Sequence, residues 1–88
     1  MWILCKDKLP NKDGRYLVTA IHNYSKHINY VHICNFANKL SDIDDYEFEG
    51  EDRPGFFNYD SEYGYIEKQG VIAWQELPEP YEGVYENE

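Results

Sequence analysis

The stretch that most limits how this chain can fold lies near its end, Gly70-Val71-Ile72-Ala73-Trp74-Gln75-Glu76-Leu77-Pro78-Glu79-Pro80-Tyr81. Valine, isoleucine and an aromatic following a glycine predict a buried strand over Val71 to Trp74. Pro78 and Pro80 lack amide donors and fix φ near about −65°, so Leu77 to Tyr81 is expected to run as an extended polyproline-type strap. The opening residues echo this pattern, with Trp2 ahead of Leu9-Pro10 as Trp74 is ahead of Leu77-Pro78. The two ends are therefore expected to pack together and close the fold. Trp2, Leu9, Pro10, Gly14, Tyr16, Trp74, Leu77 and Pro78 are its expected structural residues.

The remaining strands follow from alternation. Trp2 to Cys5 reads as a first strand or extended arm, and Asp13-Gly14 as a turn signal. Arg15 to Ile21 is the second strand, with Tyr16, Val18 and Ala20 on one face and Leu17, Thr19 and Ile21 on the other. Both faces are largely apolar, so this strand is expected to be central or covered on both sides. His22 to Asn29 is polar and predicts a hairpin connection to a third strand, Ile28 to Phe36. On that strand Tyr30, His32, Cys34 and Phe36 oppose Val31, Ile33 and Asn35. Phe56 to Tyr59 is the fourth strand, Asp60 to Gly64 a turn, and Tyr65-Ile66 an extension of strand pairing before the last strand. The expectation is an all-β domain over residues 1–81, a small antiparallel sheet or partly open barrel of about five strands. Residues 82–88 are expected to form an acidic, flexible tail.

A chain of 88 residues has little core to spend, and its 15 aromatics supply most of it. Charge is distributed unevenly. Residues 1–40 carry a net +4 and residues 41–88 a net −13, where Arg53 and Lys68 face fifteen acids. Such a surface disfavours free nucleic acid, which is bound through clustered Lys and Arg. It suits a basic protein or that protein's nucleic-acid groove, or serves solubility alone. No apolar run reaches the roughly 18 residues that span a bilayer, and no signal sequence is evident, so a cytosolic protein with reduced cysteines is expected.

Asp42, Asp44, Asp45, Glu47, Glu49, Glu51 and Asp52 crowd the segment Ser41 to Asp52, interleaved with Ile43, Tyr46 and Phe48. Two conformations are open: a loop with a turn of helix capped by Ser41, or an edge strand with Tyr46 and Phe48 on one face. Tyr59, Asp60, Glu62 and Tyr63 form a second dense contact candidate, since tyrosine is favoured at binding surfaces. These two groups are the expected partner-binding residues. The aromatic stretch Gly55 to Tyr65 is alternatively a carbohydrate or nucleotide site. His22, His27 and His32 alternate in parity and lack the short spacings of zinc ligands. Asp42, Asp44 and Asp45 lack the glycine and glutamate register of a calcium loop. Cys34 beside His32 lies in an aromatic strand, as core thiols do. No metal, cofactor or catalytic residue is expected.

Trp2-Ile3, Leu9-Pro10, Asp13-Gly14, Tyr16-Leu17-Val18 and Val71-Ile72-Ala73-Trp74-x-x-Leu77-Pro78-Glu79-Pro80 resemble the small domain-of-unknown-function family numbered 551. The resemblance spans both ends, and the closing motif is its most specific part. Family members often carry Met-Pro after the tryptophan, where this chain has Gln75-Glu76. The resemblance implies a cytosolic accessory protein of phages and prophages, and it brings no catalytic residues with it. The expected function is non-enzymatic binding of a basic host protein, including inhibition of a nuclease-based defence system through a nucleic-acid-like acidic surface. A small-ligand or enzymatic module and a structural or assembly protein are the alternatives, and homo-oligomerisation stays open.

Overall fold

The computed structural model describes residues 1–21 and 29–78. Of the expected hairpin connection His22 to Asn29, residues 22–28 lie outside the described residues, as do the strap beyond Pro78 and the acidic tail, while Asn29 already belongs to a strand. Six strands form one open sheet: β1 (Ile3–Leu4), β2 (Gly14–Ile21), β3 (Asn29–Ala37), β4 (Gly55–Asp60), β5 (Gly64–Glu67) and β6 (Val71–Glu76). Their order is β1-β6-β2-β3-β4-β5, and every pairing is antiparallel. The all-β expectation holds, with one strand more than expected and no barrel closure. The extra strand is β5: Gly64, at φ 82°, lets the chain fold straight back onto β4. The edges β1 and β5 are separated by four strands and do not meet.

The two ends do pair. Ile3 sits opposite Trp74 and Leu4 opposite Ala73, which places β6 between β1 and β2. One face of the sheet buries Tyr16, Val18, Cys34, Phe36, Phe56 and Trp74, with Ile3, Cys5, Leu9 and Val71 packed against them. The loop after β1 covers this face. Trp74 Nε1 donates to the Lys8 carbonyl at 2.8 Å, and the Tyr16 hydroxyl donates to the Lys12 carbonyl at 2.7 Å. Tyr16 meets Trp74 edge-on, with ring centroids 5.3 Å apart. Satisfying both polar tips on backbone carbonyls lets two large rings be buried without an orphaned donor.

The Trp…Leu-Pro echo is therefore only partly symmetric. Leu9 and Pro10 pack into the clasp, but Trp2 is 39% exposed and no counterpart of Trp74. Leu77 is half-buried, and Pro78 is exposed beyond the end of β6. Gly14 opens β2 instead of sitting in a turn before it.

Among the described residues, the other face carries its packed cluster at one end. Residues 38–53 leave β3, cross over and return to β4, burying Leu40 and Phe48 against Ala37, Phe57 and Tyr65. Leu40 lies so close to Gly55 that a Cβ there would come within 2.8 Å of its Cδ1. β2 is central, as expected, but Leu17, Thr19 and Ile21 are half-buried and not covered like the opposite face.

Candidate protein-interaction surface

The acidic segment is neither a long helix nor an edge strand. It holds two 3-10 turns, Leu40–Asp42 and Tyr46–Phe48, which fits the expected loop with a turn of helix. Self-repulsion among the carboxylates works against a longer helix, and Gly50 at φ 80° turns the chain away. Ser41 does not cap the first turn; its N-cap position is Lys39, without a side-chain hydrogen bond. Ser41 Oγ instead donates to Asp52 Oδ1, spanning the base of the loop. Asp45 caps the second turn, its Oδ1 accepting from the Glu47 amide at 2.8 Å.

Within that second turn the expected edge-strand pairing of Tyr46 with Phe48 fails. A helical turn separates residues two apart by roughly 200–240°, so the rings point to opposite sides. Tyr46 is 91% exposed, whereas Phe48 is 2% exposed and anchors the segment to Phe57 at 6.0 Å. Phe48 is thus removed from the set of contact residues and acts as the foot of the surface. From it an aromatic ladder runs outward through Phe57 to Tyr65 at 5.8 Å and Tyr59 at 5.1 Å.

The two candidate groups, far apart in sequence, meet in space. A Cβ on Gly64 would lie 4.0 Å from Asp45 Oδ2, so the cap of the second turn borders the tip of the β4–β5 hairpin. That tip is fixed by Asp60, whose Oδ1 accepts from the amides of Glu62 at 2.7 Å and Tyr63 at 3.0 Å. Tyr59 and Tyr63 are exposed beside it. Asp42, Asp44, Glu47, Glu49, Asp52 and Glu62 are also exposed, while Glu51 is half-buried. Between the turns an open groove of about 350 Å³ is lined by Asp42, Asp44, Asp45, Glu49 and Tyr46, together with Ser41 and Ile43.

Both cations of residues 41–88 are engaged elsewhere. Arg53 grips Glu67 with two hydrogen bonds of 2.7 Å and approaches Glu51 at 3.5 Å. This fork holds the Glu67 carboxyl below its usual range and raises the Arg53 guanidinium further. Lys68 Nζ donates to the Tyr30 hydroxyl and sits 4.8 Å from that ring's centroid. The sequence alone does not reveal the Arg53–Glu67 pair, because its partners are fourteen residues apart on different elements.

The other candidates resolve differently. Cys34 is fully buried, donates weakly to the Phe57 carbonyl at 3.4 Å, and is pushed up to about 11 by burial. At neutral pH it is a protonated core thiol. His32 stacks on Tyr30 at 5.2 Å, and its Nδ1 is buried without a hydrogen-bond partner among the described residues. Burial first, then the Lys68 charge, lower its pKa. His22 and His27 lie outside the described residues, and among those described no three potential metal ligands converge. The Gly55 to Tyr65 stretch is the β4–β5 hairpin, which bears an open groove of about 210 Å³ lined by Asn58, Tyr59, Asp60, Ile66, Glu67 and Lys68. Among the described residues no helix is long and apolar enough to cross a membrane.

A family model matches residues 1–82, nearly the whole chain. The chain belongs to the family described as protein of unknown function (DUF551). The residues on which the resemblance rests build the clasp: Leu9, Pro10, Tyr16, Val18, Ala73 and Trp74 all lie in or against the buried face or the β1–β6–β2 pairing. The DUF551 match thus covers the scaffold as well as the acidic loop set on it. Neither a comparison with curated proteins nor one with solved structures found a match.

Proposed function

We propose that this DUF551 protein is a non-enzymatic binding module that docks its acidic, tyrosine-studded rim onto a basic protein. The observation that carries the reading is the meeting of the 3-10 turn around Tyr46 with the hairpin tip around Tyr63, across Asp45 and Gly64. Exposed aromatics ringed by carboxylates combine the anchor residues that dominate binding energy with charges that steer encounter. With Arg53 and Lys68 drawn into contacts with Glu67 and Tyr30, little positive charge within this half offsets the rim. A ligand-binding reading is weaker, since small-molecule sites enclose most of their ligand and the hairpin groove is small and open.

The resemblance to phage and prophage domains supports a more specific role. On this reading the protein acts in the host cytosol and occupies the nucleic-acid groove of a basic host protein, such as a defence nuclease. Carboxylates stand in for phosphates there, and tyrosines for stacked bases.

Tagged protein incubated with host lysate tests this directly. A basic partner should be retained at about 0.05 M salt and released by about 0.5 M, as screening shortens the reach of the charges. Tyr46→Ala, at a side chain that contributes nothing to the core, should weaken the purified complex about tenfold or more without lowering the melting temperature. Nucleic acid should compete with the protein for the partner. No partner at low salt, or retention indifferent to salt, would refute the electrostatic mechanism.

A further inference from the structure

Of the sheet's two outer edges, β1 is two residues long and β5 is four. The register shows which backbone groups of β5 face outward. The Lys68 amide donates to the Phe56 carbonyl at 2.8 Å, so these two residues form a hydrogen-bonded pair at the end of the β4–β5 ladder. Bonded and non-bonded pairs alternate along an antiparallel ladder. Phe57 lies opposite Glu67, Asn58 opposite Ile66 and Tyr59 opposite Tyr65, so the next bonded pair is Asn58 with Ile66. Tyr65 and Glu67 therefore turn their amides and carbonyls away from β4, and no described strand lies beyond β5 to receive them.

An open edge is usually blunted by a lysine, a proline, a bulge or covering chain. Gly64-Tyr65-Ile66-Glu67 has no lysine or proline, and its one charge, Glu67, is gripped by Arg53. The two sides of the strand differ. Tyr65 and Glu67 share the side on which the acidic segment packs, and Tyr65 meets Phe57 and Tyr59 edge-on there. Ile66, 44% exposed, points to the other side. Charge around the edge has one sign. Residues 44–49 and 58–67, which hold the second 3-10 turn and the hairpin, contain seven acids and no Lys or Arg. Arg53 reaches in from outside these stretches, to Glu67. At the start of β5, Asp45 Oδ2 comes within 4.0 Å of where a Gly64 Cβ would lie.

We propose that β5 is a docking edge for an extended basic segment of the partner, which joins the sheet as an added strand. This rests on the reading of the rim as a surface for a basic protein and states the form in which that protein binds. The outward amides and carbonyls of Tyr65 and Glu67 hold the backbone of the segment. Its side chains alternate between the two sides of the sheet. Cations at every second position run along the Tyr65 ring between Asp45 and Glu67, and apolar residues between them cover Ile66. The partner therefore needs a pattern, cation then apolar residue then cation, where the rim alone asks only for positive charge.

A synthetic hexapeptide of alternating arginine and valine, capped at both ends, tests this by amide NMR on the full chain at about 0.05 M salt. A few backbone bonds and exposed charge contacts make a weak site, with Kd expected at about 0.1–2 mM. With about 10 mM peptide, the amides of Tyr65 and Glu67 should gain about fivefold protection from hydrogen exchange, and that of Ile66, already bonded to β4, should change little. Two N-methylated peptides separate edge pairing from charge alone, because only alternate N–H groups of an added strand face β5. Methylating the arginine amides or the valine amides should abolish binding in one case and leave it within about threefold in the other. No binding at about 10 mM overturns the proposal, as does equal loss or equal retention with both methylated peptides, or protection that spares Tyr65 and Glu67. If that happens while lysate still yields a basic partner that Tyr46→Ala weakens, docking by the rim stands and strand addition alone falls. A peptide that binds β5 as described while no basic partner is retained removes the rim reading and not the edge.

Discussion

The seat of Leu40 on Gly55 holds the acidic ridge to the sheet, and a pair of substitutions isolates it. Gly55 has no left-handed φ, so alanine is compatible with its backbone. The obstacle is space: an added Cβ would lie 2.8 Å from Leu40 Cδ1 and 3.2 Å from its Cγ, against about 3.5–4.0 Å for carbon atoms in contact. Leu40 is fully buried and has nowhere to swing. Gly55→Ala should therefore cost about 1–3 kcal/mol, the range for overpacking, less the ~0.4–1 kcal/mol alanine gains by restricting the unfolded chain. Leu40→Ala alone should cost about 2–5 kcal/mol through its cavity. In that background the obstructing carbons are gone, and Gly55→Ala should become neutral or stabilising by up to about 1 kcal/mol. Only Glu67 Oε2, 3.3 Å from the new methyl, still has to give by a few tenths of an ångström. Urea unfolding of the four proteins, fitted as two-state transitions, measures this reversal of sign as a coupling of about 1–3 kcal/mol. If Gly55→Ala has the same effect in both backgrounds, within about 0.5 kcal/mol, the contact does not anchor the ridge and the reasoning fails.

Two further outcomes are expected. Trp74→Ala should lower stability by about 3–5 kcal/mol, a large share of what a domain this size possesses, because it empties the clasp and strands the Lys8 carbonyl; thermal melts check this. The lowered pKa of His32 means that the unfolded chain takes up its proton first as pH falls, so stability is full above about pH 6.5 and declines as pH drops through the depressed folded value. His32→Gln should flatten the denaturation midpoint between about pH 7 and 5 relative to the native chain, and an unchanged slope would show that His32 does not titrate as its burial requires.

Much of the scaffold is legible in the residues because strand signals are local. Alternation over Arg15 to Ile21 and Tyr30 to Phe36 fixes which side chains share a face, whereas the register that sets Tyr16 opposite Cys34 and Val18 opposite His32 is seen only in the structure. The turn at Asp60 to Gly64 is equally local, carried by an Asx hydrogen-bond pattern and a left-handed glycine. The site is less legible. Tyr46 and Phe48 look alike in sequence, two apart between acids, and a 3-10 turn instead of a strand sends one to solvent and the other to the core. The meeting of Asp45 with Gly64 and the fork between Arg53 and Glu67 are long-range contacts with no local signal.

By itself, then, the sequence determined an all-β chain closed by its ends, because β-branched runs, prolines and period-two alternation act within a few residues. It also determined the charge imbalance between its halves. Which face would be covered, and by what, was decided only by the tertiary structure. Both faces of β2 and β3 are apolar enough to be buried, and the outcome depends on the reach of two loops. The loop after β1 closes over Trp74, and residues 38–53 settle on Phe57 and Tyr65 through Leu40 and Phe48. Neither loop packs over Leu4, Val31 and Ile33, which stay partly exposed on the face that carries the ridge of carboxylates.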